Sequence, residues 1–203
     1  MSKLKVDEIR QSTRSVSDSA NITLANDGTL STGNLKIPDG GTIGSASDAD
    51  AISISSAGYV IDSARPHFVV DGGGAGNHQA NAQNRIPFNN EVRDHGGNFD
   101  TSNYFFLTPV AGVYIFHTQI YAYSAGSHDY SFEIRSNNTS DGDTLVLGRI
   151  HAYSVGQGQL LKTFGINYVP ASRRISVVNS RSDSRYVYMG TQSHTVFHGC
   201  LIG

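Results

Sequence analysis

One stretch constrains the fold more than any other: VYIFHTQIYAYS, residues 113–124. Successive side chains of a β-strand point to opposite faces. Tyr114, Phe116, Thr118 and Ile120 therefore share one face, and Val113, Ile115, His117 and Gln119 share the other. Both sets are substantially apolar. A strand apolar on both faces must be covered twice, by its own sheet partners across a core and by something else on the outside. The segment thus predicts a central strand of a sandwich and an additional covering surface.

The neighbouring sequence supports a sandwich. Residues 68–70 (FVV) form a short strand, 71–84 (DGGGAGNHQANAQN) a glycine-rich polar loop, and RIPFN leads into a second strand. Further strands are expected at YSFEIRS, TLVLGRIHAYS, LLKTFGINYV, RISVVNS, RYVYMG and HTVFHGCLIG, with SAGSHD, NNTSDGD and VPASRR as turns. Many short strands and no helical periodicity argue for an all-β sandwich or jelly roll over residues 65–203. Residues 1–64 differ: short apolar pieces alternate with turns at Gly28, Gly40–Gly41 and Gly58, and Tyr59 is the one aromatic. Such pieces bury too little surface to be stable alone, so this region reads as a turn-rich β stalk or docking region that gains a core by pairing with other chains or a host surface. Leu4, Val6 and Ile9, set among charged residues, are the expected docking ridge to other proteins.

Charged residues make up only 16% of the 203, with a net charge of −2. No basic stripe is present to neutralise a run of phosphates, so nucleic acid is not expected as a partner. No run of 18 apolar residues and no apolar leader at the N-terminus point to membrane insertion or export. The single cysteine, Cys200, cannot form an intrachain disulfide and reads as a small buried hydrophobe. Eight histidines are scattered without an HExxH motif or a nucleophile elbow, so no catalytic residue, metal site or cofactor is expected. His194 and His198 lie four apart on a strand and are expected at an edge or in the core rather than as a zinc pair. The carboxylates of SDADA (residues 47–51) and DGD (141–143) are expected to shape Asx turns rather than hold calcium.

Several features together resemble a known family. They are the RPHFVV entry strand, the block IPFNNEVRDHGGNFDTSNYFFLTPVAGVYIF with Asn98, Phe99, Asp100, Phe106, Pro109, Gly112, Tyr114 and Phe116, and the closing TVFHGCLIG with Phe197, Gly199 and Leu201. Residues 65–203 thus resemble the globular head of the complement q-subcomponent and its tumour-necrosis-factor-like relatives. The resemblance implies a ten-stranded antiparallel jelly roll, a homotrimer and no enzymatic activity. It places Val113, Ile115, His117, Gln119, Phe197 and Leu201 near a three-fold axis. The collagen-type stalk of that family is absent, and KVDEIR and IGSASDADAISISSAGYV instead resemble bacteriophage fibre stalks. The expected protein is a phage virion component made in the host cytoplasm, a tail fibre or spike whose head binds a host-surface receptor or glycan. A capsid cement trimer or a bacterial lectin-like module are the alternatives. Tyr153, Arg185, Tyr186, Tyr188 and the 71–84 loop are the expected ligand contacts. Three copies of His117 gathered in a desolvated interface would make the trimer acid-sensitive, unless Thr118 or Gln119 of the same chain engages the ring.

Overall fold

The computed structural model describes Ile37 and residues 41–44, 51–62, 64–137 and 144–203. Apart from Ile37 these belong to one compact unit, Asp39–Gly203. The first three strands, β1 (Thr42–Ile43), β2 (Ile52–Ile54) and β3 (Val60–Asp62), form an antiparallel meander. The β2–β3 turn closes at Gly58, whose φ of +80° suits a residue without Cβ; its N–H donates to the Ser55 carbonyl at 2.8 Å. This is one of the strand–turn–strand pieces expected from sequence. Its apolar side chains Ile43, Tyr59, Val60 and Ile61 stay exposed, since three strands of two or three residues are too short to build a core of their own.

The remaining strands are β4 (His67–Asp71), β5 (Gly76–Ala80), β6 (Asn90–His95), β7 (Phe99–Asp100), β8 (Phe105–Leu107), β9 (Gly112–Tyr121), β10 (His128–Asn137), β11 (Thr144–Val155), β12 (Leu160–Val169), β13 (Arg174–Asn179), β14 (Arg185–Met189) and β15 (Val196–Leu201). Two five-stranded sheets result, in the orders β12-β9-β15-β4-β6 and β11-β10-β13-β8-β7. All pairings are antiparallel. The long crossovers that set β15 between β4 and β9 are those of a jelly roll. β5 and β14 pair with each other as a separate ribbon, so the described part of residues 65–203 carries two strands beyond the expected ten. The glycine-rich 71–84 stretch is therefore not wholly a loop. Its polar Asn77, His78 and Gln79 lie opposite Tyr188, Val187 and Tyr186, and β14 supplies the ribbon's apolar side chains.

The core lies between the five-stranded sheets. Phe68, Phe106, Tyr114, Phe116, Phe132 and Phe197 are all but inaccessible to solvent. Each such ring contributes roughly 1.5–3 kcal/mol of burial. Phe68 sits at the centre of the aromatic cluster, stacked on Phe106 at 4.5 Å and edge-on to Phe197 at 4.9 Å. Gly199 stands in register between Phe68 on β4 and Phe116 on β9, and the two flanking rings cover the space its missing side chain leaves. The sandwich is closed on one side where β11 and β12 meet. A Cβ on Gly165 would lie 2.3 Å from the Leu147 carbonyl oxygen, so only glycine permits this approach. Asn167 Nδ2 donates to the same carbonyl at 3.1 Å, and Thr163 Oγ1 donates to the Arg149 carbonyl at 3.1 Å.

Candidate functional site

The alternation read in residues 113–121 is present on β9. Tyr114, Phe116, Thr118 and Ile120 are buried toward the core, while Val113, Ile115 and His117 face outward. Strand register extends this outward face into rows across the sheet. Phe164, His117, His198, Val69 and Arg93 form one row, and Ile166, Ile115, Cys200, His67 and His95 the next. Tyr168 lies opposite Val113, and Lys162 opposite Gln119, at the two margins. Among these residues Phe164 is 66% exposed, Tyr168 65% and Ile166 53%. Three large apolar side chains at i, i+2 and i+4 of β12 thus stand in solvent beside the partly exposed Val113 and Ile115.

The middle of the face is a groove of about 380 Å³ lined by His67, Val69, Ile115, His117, His198 and Cys200, among others. His117 Nδ1 and His198 Nε2 lie 2.8 Å apart, so one nitrogen donates and the other accepts. Burial, aided by Lys162, lowers the His117 pKa below its ordinary value; burial, aided by His117, lowers that of His198. Both rings are therefore held toward the neutral form. His67 and His95 make a second cross-strand pair, stacked in parallel at 5.4 Å.

Several expected interface residues are placed differently. Phe197 is fully buried in the aromatic core and cannot reach an assembly axis in a folded chain. Leu201 also turns inward and packs against the core. The outward residues of β15 are instead His198 and Cys200, because the strand's parity sets Phe197, Gly199 and Leu201 on the inner face. Gln119 shares the outward parity, but its Nε2 donates to the carbonyls of Ser193 and His194, and its own chain covers it. Thr118 donates to the Val196 carbonyl. The partner of His117 is thus neither of these residues but His198. Phe164, Ile166 and Tyr168 were not singled out from sequence, although LLKTFGINYV alternates clearly enough to have placed them on one face.

The expected ligand contacts also separate. Tyr153 on β11 is 71% exposed, with its ring stacked on His151 at 4.5 Å. Tyr186 is half exposed. Tyr188 is a packing residue, set against Tyr121, Tyr123 and His194. Arg185 is a structural residue, donating to the Asp129 carbonyl at 2.6 Å and paired with Asp183 at 2.8 Å. Asp71, at the start of the 71–84 stretch, is buried and accepts from Gly73 N–H and Asn90 Nδ2. Cys200 is partly buried on the outward face rather than in the core. Leu4, Val6 and Ile9 lie outside the described residues.

No protein-family model and no curated protein matches the chain. Solved structures do. The Eiger TNF of S. frugiperda aligns with a TM-score of 0.56 at 14% identity, over 68% of this chain and 93% of that one. The globular domain of zebrafish complement 1qA aligns with a TM-score of 0.51 at 18% identity, over 68% of this chain and 98% of that one. Murine APRIL aligns with a TM-score of 0.51 at 9% identity, over 68% and 99%. The protein thus has the jelly-roll fold of tumour-necrosis-factor-like proteins and complement 1q heads.

Proposed function

We propose that this chain forms a homotrimer without enzymatic activity, and that it serves as a bacteriophage virion protein with a receptor-binding head. The observation that carries the trimer is the outward face of the β12-β9-β15-β4-β6 sheet. Phe164, Ile166 and Tyr168 stand in solvent there, and covering each would contribute roughly 1.5–3 kcal/mol. The centre of that face holds histidines, a thiol and aliphatic side chains, with Lys162 and Arg93 toward its margins. A face so poor in charge is suited to copies of itself, and the occupant proposed is a second and a third chain. The resemblance of the head to a trimeric family supports that number. Interfaces of this permanent kind bury on the order of 1,000 Å² or more per subunit. Light scattering on the full chain at micromolar concentration should give the mass of three chains; a monodisperse monomer would end this reading.

The virion assignment rests on the phage-fibre resemblance of residues 1–64, which are proposed to attach the head to the particle through Leu4, Val6 and Ile9. Removing residues 1–12 should leave the oligomer intact and abolish incorporation into particles. Host-surface glycan is the proposed ligand, with the Tyr153–His151 stack as a platform for a sugar ring. Its test is host-cell adsorption by Tyr153→Ala. A head that adsorbs as well as the parent would count against the glycan role and leave the trimer untouched.

A further inference from the structure

Sequence spacing drew attention to His194 and His198, but the fold separates them. His194 lies between the rings of Tyr121 and Tyr188, with its Nδ1 on the Ser193 hydroxyl. The fold brings His198 to His117 instead, 81 residues away in the chain and directly opposite in the strand register. The ring planes are inclined by 53°, and the two facing nitrogens converge at 2.8 Å. At metal–nitrogen distances of about 2.0–2.1 Å, two ligands on one cation are separated by about 2.9 Å at a right angle and about 3.3 Å at the tetrahedral angle. The pair would need to open by only a few tenths of an ångström.

We propose that His117 and His198 form an open two-ligand site for a divalent first-row transition cation, of the Zn²⁺, Ni²⁺ and Cu²⁺ class. In the metal-free pair one N–H lies between the rings. On binding, that proton moves to the far nitrogen of its own imidazole, so both facing lone pairs meet the cation with no net proton released from the neutral pair. The far nitrogens, His117 Nε2 and His198 Nδ1, then both carry hydrogen. Among the described residues no third His, Cys, Asp or Glu completes a cage, so the remaining positions take water or another ligand from the groove. Imidazole without carboxylate selects against Ca²⁺ and Mg²⁺, which require oxygen. The second histidine pair is no rival. The His67 and His95 rings lie parallel to within 2° with centroids 5.4 Å apart, a face-to-face stack rather than two nitrogens aimed at one point. Both ligands come from one chain, so the site does not depend on the trimer; in the trimer the ion would lie between copies.

The test is calorimetric titration of the tag-free full chain, freed of metal with a chelator, using Zn²⁺ or Ni²⁺ at pH 7.5. One ion per chain is expected, and no heat from Ca²⁺. Loss of an outer-shell partner alone weakens metal binding by roughly 10–100-fold, so His117→Gln and His198→Gln should each weaken it at least tenfold. His67→Gln and Cys200→Ser should not change it. On the unaltered chain, imidazole NMR resonances of His117 and His198 should shift with Zn²⁺ while those of His67 and His95 stay. Absence of binding overturns the proposal. So does binding that survives both glutamine variants, or binding lost in Cys200→Ser instead. A monomer that still binds one ion would retain this inference and remove only the trimer.

Discussion

Replacing Gly199 by alanine adds one methyl group inside the aromatic cluster of the sandwich. Its Cβ would lie 2.5 Å from Phe116 Cδ1, 2.9 Å from Cε1 of the same ring and 3.0 Å from Phe68 Cε1. Carbon atoms in contact prefer about 3.5–4.0 Å, so both rings must retreat. Neither has free space. Phe68 is held between Phe106 and Phe197, and Phe116 is stacked on Tyr114 at 5.6 Å. Overpacking of this kind costs about 1–3 kcal/mol. For a unit of this size each kcal/mol lowers the melting temperature by about 2–4 °C, giving a loss of about 2–12 °C. Gly156→Ala is the control, because its Cβ would meet nothing nearer than 3.9 Å. Calorimetry at one fixed protein concentration keeps oligomerisation from confounding the comparison. Adding Phe116→Leu to Gly199→Ala should recover part of the loss, since the shorter side chain yields room. If Gly199→Ala melts with the parent and its near-ultraviolet circular dichroism is unchanged, the aromatic cluster is looser than argued and the reasoning fails.

Three further outcomes are expected. Phe164→Glu combined with Ile166→Glu should give a folded monomer by light scattering, with unchanged far-ultraviolet circular dichroism, because both side chains are exposed in the single chain; a trimer that persists would place the interface elsewhere. Asn179→Ala should destabilise by about 1–3 kcal/mol in denaturant titration, because its buried amide donates to the buried Ala80 carbonyl, which would lose that donor, and also ties down the Asp183 carbonyl at the surface. With chelator present, acid should weaken the assembled protein. His117 and His198 have pKa values lowered from 6.5, chiefly by burial, so the folded state binds fewer protons than the unfolded one; their stabilisation is full above about pH 6.5 and is lost as pH falls through the lowered folded values. Melting from pH 8 to pH 5 checks this, and a His117→Gln/His198→Gln chain that loses stability in parallel with the parent would show that the acid sensor lies elsewhere.

Local alternation was legible wherever a strand was long and apolar. Residues 113–121 carry their parity in the sequence, because side chains alternate whatever partner the strand finds. The same rule would have turned Phe197 and Leu201 inward, had their parity been set against that of the closing strand's own neighbours rather than carried over from a resemblance. The polar stretch from Asn77 to Gln79 offered no such signal. It is a strand because β14 lies opposite and supplies Tyr186, Val187 and Tyr188, a long-range pairing that no local pattern encodes. The candidate site was half visible in the same way. His117 was placed on the outward face by its own strand, whereas its partner could not be found by counting along the chain. His198 meets it because the jelly-roll crossover sets β15 beside β9, and only that register converges two ring nitrogens to 2.8 Å. The sequence by itself determined which side chains each strand presents together, through the two-residue repeat of the extended backbone. The tertiary structure alone decided which strands became neighbours, because that choice rests on burying the shared aromatic core.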